Sequence, residues 1–243
     1  MSSVNFVILA AGRGVRMNSD RPKPLKKISG KMMIERVCSS AGELEPDTVV
    51  AVVSDRRVEN EALRLGCVTA WQDPPLGTAD ALKKALPECP DTGEVIVTCA
   101  DIPLVTGADF KKLLESHRKN GNYITVLTSS TSEPAGYGRV VEENGRIIKI
   151  VEEKEATAEE KKIRKINTGI YCMNILGVEK YIKRIRRSPV KGEYYLTDLV
   201  EEAVKDGRKA AGVECEYGRV LGVNNPKELK RAEEILESRG SNE

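Results

Sequence analysis

Several residue types and patterns are scarce in this 243-residue chain, and each scarcity removes a class of function. Histidine occurs once, and the six cysteines (Cys38, Cys67, Cys89, Cys99, Cys172 and Cys215) form no C-x-x-C pair, so neither a zinc site nor a disulfide framework is indicated. Free thiols in a reducing cytoplasm fit this usage best. Charge of one sign is not in excess: 39 Lys and Arg face 37 Asp and Glu, a formal net charge of +2. That balance argues against nucleic acid as a partner and leaves room for a small anionic ligand. No apolar run approaches a membrane span, and residues 1–11 lack the basic flank and length of a secretory signal. With 31% charged and 40% hydrophobic residues, the chain is too apolar for disorder. There is no internal repeat, low-complexity stretch or linker, so one principal domain is expected from a length that allows one or two.

What is present is an alternation of strand and helix. Residues 5–10 form a continuous apolar run ended by Gly12, as expected of a strand buried on both faces of a parallel sheet. Similar runs occur at 48–53, 67–71, 94–99 and 123–128. Residues 32–41, 57–65, 78–86 and 106–119 carry apolar side chains at helical spacing, predicting crossover helices on both faces of the sheet. The rhythm then breaks. Residues 139–143 and 146–151 flank Asn144-Gly145, a two-residue hairpin signal that predicts an inserted antiparallel lobe. Residues 152–165 read as a charged loop with a short helix, 166–173 as a strand, and 196–205 and 227–238 as amphipathic helices. The fold class is therefore α/β: a Rossmann-like, mostly parallel sheet with helices on both faces and an inserted antiparallel hairpin lobe.

The chemistry concentrates after the first strand, in Leu9-Ala10-Ala11-Gly12-Arg13-Gly14-Val15-Arg16-Met17 and Pro22-Lys23-Pro24-Leu25. Small residues there let backbone N–H groups approach a phosphate. A dinucleotide fingerprint would need a third glycine where Met17 stands, and the lysine-ended P-loop spacing is absent. Arg16 and Lys23 have the character to neutralise a polyphosphate, one as a planar fork and the other as a point charge. Asp101 follows the strand at 94–99, so its carboxylate should emerge at the same sheet edge and suits Mg²⁺, a cation that takes few protein oxygens. A second oxygen could come from Asn224 or Asn225, between which the residues alone do not choose. His117 beside Arg118 and Lys119 reads as a surface residue without a role, and Cys99 as a strand residue rather than a nucleophile.

These stretches resemble the sugar nucleotidyltransferases. The match extends from Leu9 to Asn225 in order through Gln72, Leu76-Gly77-Thr78-Ala79, Asp101-Ile102-Pro103-Leu104, Gly136-Tyr137-Gly138-Arg139, Val151-Glu152, Asn167-Thr168-Gly169-Ile170, Gly192-Glu193-Tyr194-Tyr195-Leu196-Thr197-Asp198 and Gly222-Val223-Asn224-Asn225. Within that family the combination is similar to the pyrophosphorylase domain of the bifunctional bacterial N-acetylglucosamine-1-phosphate uridylyltransferases. The resemblance implies a nucleotidyltransferase domain over residues 1–226 and a C-terminal helix and tail over 227–243. It implies catalytic cations at Arg16 and Lys23, and nucleotide binding by Leu9, Ala10, Ala11, Gly12, Gln72, Gly77 and Thr78. It further implies sugar-phosphate binding by Gly138, Glu152, Asn167 and Thr168, and Mg²⁺ ligation by Asp101 and Asn224.

The implied reaction is Mg²⁺-dependent transfer of UMP from UTP to N-acetylglucosamine 1-phosphate, in line and with no covalent enzyme intermediate. The alternatives are another sugar 1-phosphate or nucleotide, or a binding module without turnover. The expected setting is a cytoplasmic monomer or weak homo-oligomer without nucleic-acid or membrane partners. Two departures stand out: Cys99-Ala100 occupy the positions where the family commonly has Tyr-Gly, and Val15 stands where it usually has Thr or Ser. The hexapeptide repeats of the bifunctional enzymes are absent, so no acetyltransferase activity or coenzyme A site is expected.

Overall fold

The computed structural model describes residues 3–12, 14, 17 and 19–240. Val15 and Arg16 of the glycine loop lie outside the described residues. The elements run β1 (Val4–Leu9), β2 (Lys27–Ile28), β3 (Lys31–Met32), α1 (Met33–Gly42), β4 (Thr48–Val53), α2 (Arg56–Arg64), β5 (Val68–Trp71), α3 (Thr78–Ala85) and β6 (Glu94–Cys99). They continue with α4 (Gly107–Asn120), β7 (Ile124–Ser130), β8 (Arg139–Glu143), β9 (Arg146–Val151), β10 (Lys165–Asn174), α5 (Val178–Ile182), α6 (Asp198–Lys205), β11 (Ala210–Glu214) and α7 (Pro226–Gly240).

The main sheet has the order β11-β7-β10-β6-β1-β4-β5, with β8 pairing β10 and β9. Strands β6, β1, β4 and β5 pair in parallel, as do β11 and β7. Strand β10 is antiparallel to both β6 and β7, so along that path it runs against the others. The sheet is thus mostly parallel, with its reversal at the centre as well as in the β8–β9 hairpin. That hairpin turns at Asn144 and Gly145, whose φ of 50° and 73° match the turn their sequence predicts.

Strand periodicity sorts the core into two faces. Val7, Val50, Val52, Val95 and Val97 point toward α3, α5 and α6. Phe6, Ile96 and Cys172 meet α4, and Ile8, Ala51 and Val53 meet α1 and α2. Helix α4 begins with a capping box, Thr106 Oγ1 accepting from the Asp109 amide and the Asp109 carboxylate from the Thr106 amide, and ends at Gly121 in a left-handed turn. Its inner stripe, Phe110, Leu113, Leu114 and His117, is spaced i, i+3, i+4, i+7.

That spacing overturns the expectation for His117, which is buried rather than on the surface. Its Nδ1 lies 2.9 Å from Thr125 Oγ1 and its Nε2 3.3 Å from Asn174 Oδ1. Burial lowers its pKa, so the ring is held toward its neutral form beneath the sheet. The cationic neighbours in sequence belong to another face of the helix: Arg118 makes a two-pronged ion pair with Glu94 at 2.9 Å.

Helix α7 packs Ala232, with Leu229, Ile235 and Leu236, on Ile28, Met33, Leu104, Leu221 and Val223. The last helix thereby buttresses the segment that carries Asn224. No described helix is long and apolar enough to cross a membrane.

Candidate active site

Parallel pairing decides where the site lies. Leu9 of β1 pairs with Cys99 of β6, and the Ala100 amide donates to the Leu9 carbonyl at 3.0 Å. The loops leaving these strands, Ala10 to Gly12 and Ala100-Asp101, therefore emerge side by side at the carboxyl edge, where open α/β sheets bind ligands. Strand β4 aligns the next loop: the Gln72 amide donates to the Val53 carbonyl at 2.9 Å, placing Gln72 on the same edge.

Lys23 enters this edge through Gly14. A Cβ at Gly14 would lie 2.8 Å from the Lys23 Cβ, and the glycine has φ of +59°. Only a residue without a side chain permits this approach. The Lys23 ammonium then bonds the Asp101 carboxylate and, at 2.9 Å, Asn224 Oδ1. Asn224 reaches this point because the Val223 amide donates to the Asp101 carbonyl at 2.8 Å. Its neighbour does a different job: Asn225 Oδ1 accepts from the amides of Lys227 and Glu228, both at 3.0 Å, capping α7. The geometry separates the two asparagines, one at the edge and one at the cap.

The far wall is built on Gly77. A Cβ there would lie 2.4 Å from the Tyr194 carbonyl oxygen, at φ of +115°. The close approach lets the Tyr194 amide donate to Leu76 O at 2.8 Å, the Ala79 amide to Tyr194 O at 2.9 Å, and the Leu196 amide to Thr78 Oγ1 at 2.9 Å. Gln72 is buried, its amide nitrogen donating to Gly77 O and to Asp80 Oδ2, each at 2.8 Å. Its carbonyl oxygen accepts from no described residue, which suits it to a ring N–H of a base.

Between these walls is a cleft of about 720 Å³, lined by Leu9 to Gly12, Lys23, Gln72, Gly77, Thr78 and Asp101. Arg187, Lys191 and Glu193 line it too. None of the three carries a local signal of function, although Glu193 stands in the Gly192-Glu193-Tyr194-Tyr195 stretch; spacing alone does not show that this turn reaches the edge.

The four residues implied for a sugar phosphate lie where β8, β9 and β10 approach α6. Glu152 leaves β9 and accepts from Thr197 Oγ1 at 3.1 Å. Burial raises its pKa above the ordinary glutamate value, opposed by that hydroxyl and by the charge of Lys191. Gly138 is held to β10 by the Asn167 amide, which donates to its carbonyl at 2.9 Å. The side chains of Asn167 and Thr168 shape an irregularity in β10: Asn167 donates to Tyr171 Oη at 2.7 Å and accepts from the Gly169 amide at 3.1 Å, while Thr168 donates to Leu127 O at 2.7 Å. Arg139 is buried, bonding Tyr137 O and, at 2.6 Å, Glu153. Cys99 lines the cleft, but burial pushes its thiol pKa far up, which removes the thiolate a nucleophile would need.

Residues 6–167 match the family of MobA-like NTP transferase domains, which accounts for more than half of the chain. The chain belongs to that family. It is 39% identical over 241 residues to the bifunctional protein GlmU of Caldanaerobacter subterraneus subsp. tengcongensis, an alignment covering 98% of this chain and 53% of that protein. It is 42% identical over 238 residues to GlmU of Pelotomaculum thermopropionicum, covering 96% and 52%. The chain therefore spans about half the length of the curated relatives it matches. Among solved structures, the inositol-1-phosphate CTP transferase of T. maritima superposes with a TM-score of 0.74 at 17% identity, covering 98% of this chain and 96% of that one, a likeness of fold.

Two outcomes test the geometry of this NTP transferase domain. Gly77→Ala should destabilise it by about 1–3 kcal/mol, because both the left-handed backbone and the Tyr194 contact become strained. Urea denaturation measures this, and an unchanged midpoint would contradict the clamp. Asp198 supplies the second: burial, then the carboxylates of Glu155 and Glu152, raise its pKa from 3.8 to about 6. The folded chain holds this proton more tightly, so its contribution to stability is full below about pH 4 and lost as pH rises through about 6. The thermal midpoint of the wild type should therefore fall relative to that of Asp198→Asn between those pH values. Parallel pH profiles for the two proteins would refute the shift.

Proposed function

We propose that this chain transfers UMP from UTP to N-acetylglucosamine 1-phosphate, releasing pyrophosphate, with Mg²⁺ as the metal. The convergence of Asp101 and Asn224 on the Lys23 ammonium carries the reading. Two hard oxygens from distant parts of the chain already face one cation, the donor chemistry that Mg²⁺ takes. Among the described residues no group of three or more His, Cys, Asp or Glu is arranged to hold a metal. Asp101 and Asn224 would be its protein ligands, substrate phosphate and water completing the shell. When bound, the ion offsets charge at the transferring phosphorus.

The protein groups do the rest by position. Backbone amides along residues 9–12 and Gln72 hold the nucleotide, with Gly77 and Thr78 closing the base side. Glu152 accepts from sugar hydroxyls, beside Gly138, Asn167 and Thr168. Lys23, and Arg16 as the second cation, bond the polyphosphate oxygens. An oxygen of the sugar phosphate forms a bond to the α-phosphorus, the bond from that phosphorus to the bridging oxygen breaks, and pyrophosphate leaves with the electron pair. No side chain has to act as nucleophile. The core of this machinery lies in residues 1–226, while α7 supports the Asn224 segment.

The test is pyrophosphate release by the purified chain with Mg²⁺, N-acetylglucosamine 1-phosphate and each of UTP, CTP, GTP, ATP and dTTP. Release should occur with UTP, and Asp101→Ala should abolish it without changing the thermal midpoint by more than a few degrees. Preference for glucose 1-phosphate or for another nucleotide would overturn the substrate assignment. Wild-type activity of Asp101→Ala across a Mg²⁺ titration would overturn the metal assignment.

A further inference from the structure

Resting on that reading, we propose that Lys191 is the cation that receives the phosphate of the sugar 1-phosphate, and so selects a phosphorylated acceptor. Among the described residues, the cations lining the cleft are Lys23, Arg187 and Lys191. In that reading Lys23 serves the polyphosphate of the nucleotide, and the Arg187 guanidinium bonds the Gly192 carbonyl. The Lys191 ammonium makes no hydrogen bond or ion pair with the described residues.

Its backbone, by contrast, is fixed. The Gly192 amide donates to Ser188 O at 2.7 Å and the Ser188 amide to Glu193 O at 2.9 Å, closing the turn. Ser188 Oγ accepts from the amides of Val190 and Lys191, each at 3.2 Å, and donates to the Glu155 carboxylate. The Tyr194 amide on Leu76 O anchors the turn to the wall of the cleft. The turn is closed and anchored, and the exposed Lys191 stands on it at the cleft, its ammonium solvated and open to an anionic ligand.

The surroundings explain why a cation belongs there. Glu193 lines the cleft, and Glu152 and Glu155 lie on the same side of the site, so this half would repel a phosphate monoester dianion. Glu152 suits sugar hydroxyls, whereas the phosphate on the same molecule needs a donor of opposite charge. The charge of Lys191 acts on Glu152, so the two lie on the same side of the site. A neutral sugar offers Lys191 hydroxyl acceptors but no charge to pair with.

Steady-state kinetics on Lys191→Met and Lys191→Arg, beside the wild type, test the assignment. Losing a charge-assisted hydrogen bond should raise KM for N-acetylglucosamine 1-phosphate about tenfold or more, with a smaller change in kcat and in KM for UTP. Lys191→Arg should restore most of the loss. An unchanged KM for the sugar phosphate, or equal losses for both substrates that arginine does not restore, would overturn it. If the wild-type chain releases no pyrophosphate, the catalytic reading fails, and titration calorimetry with N-acetylglucosamine 1-phosphate then decides the inference. About tenfold weaker binding by Lys191→Met supports it, whereas equal binding, or none to the wild type, overturns it.

Discussion

The bonds from the Lys23 ammonium to Asp101 and Asn224 tie together segments 78 and 201 residues away in the chain. Each of the three side chains reaches that point through a backbone constraint: Gly14 admits Lys23, the in-register pairing of β1 with β6 delivers Asp101, and the Val223 amide on Asp101 O delivers Asn224. The packing of α7 on Leu221 and Val223 belongs to the same construction. An apolar helix face with no part in chemistry thus fixes an oxygen donor at the carboxyl edge of the sheet.

Charge divides the cleft in the same way. Around β1 and β6, the cleft is lined by Leu9 to Gly12 and by the Lys23 ammonium. Around β9 and α6, carboxylates dominate, and burial holds Glu152 and Asp198 above their ordinary pKa values. A substrate with hydroxyls at one end and phosphate at the other matches that gradient better than a uniformly anionic ligand does. The contact of Gly77 with the Tyr194 backbone joins the two halves, so the wall built on Gly77 and the turn carrying Lys191 are tied together by backbone hydrogen bonds.

Much of this was legible in the sequence because local signals dominate locally. Continuous apolar runs marked β1, β4 and β6, and Asn144-Gly145 marked the hairpin between β8 and β9 with matching bounds. The direction of β10 was not legible, since antiparallel pairing between β6 and β7 is a non-local choice that its residues do not encode. Strand β11 escaped notice because Ala210, Ala211 and Gly212 carry little strand propensity, and its pairing with β7 supplies what they lack. His117 was misread from its charged neighbours, when the helical period from Phe110 was the better guide. At the site, residue types pointed to Lys23 and Asp101 but did not choose between Asn224 and Asn225; the family resemblance named Asn224, and the fold puts it at the edge and Asn225 at the cap. The turn at 187–193 enters the cleft through tertiary contacts that no spacing reveals.

The most direct test of the central claim is a crystal structure of the chain with UTP and Mg²⁺ bound. One Mg²⁺ should be held by Asp101 and Asn224, with the Lys23 ammonium moved from between them onto the phosphate oxygens. A metal bound away from these two residues, or a triphosphate that leaves the Lys23 contacts with Asp101 and Asn224 intact, would contradict it.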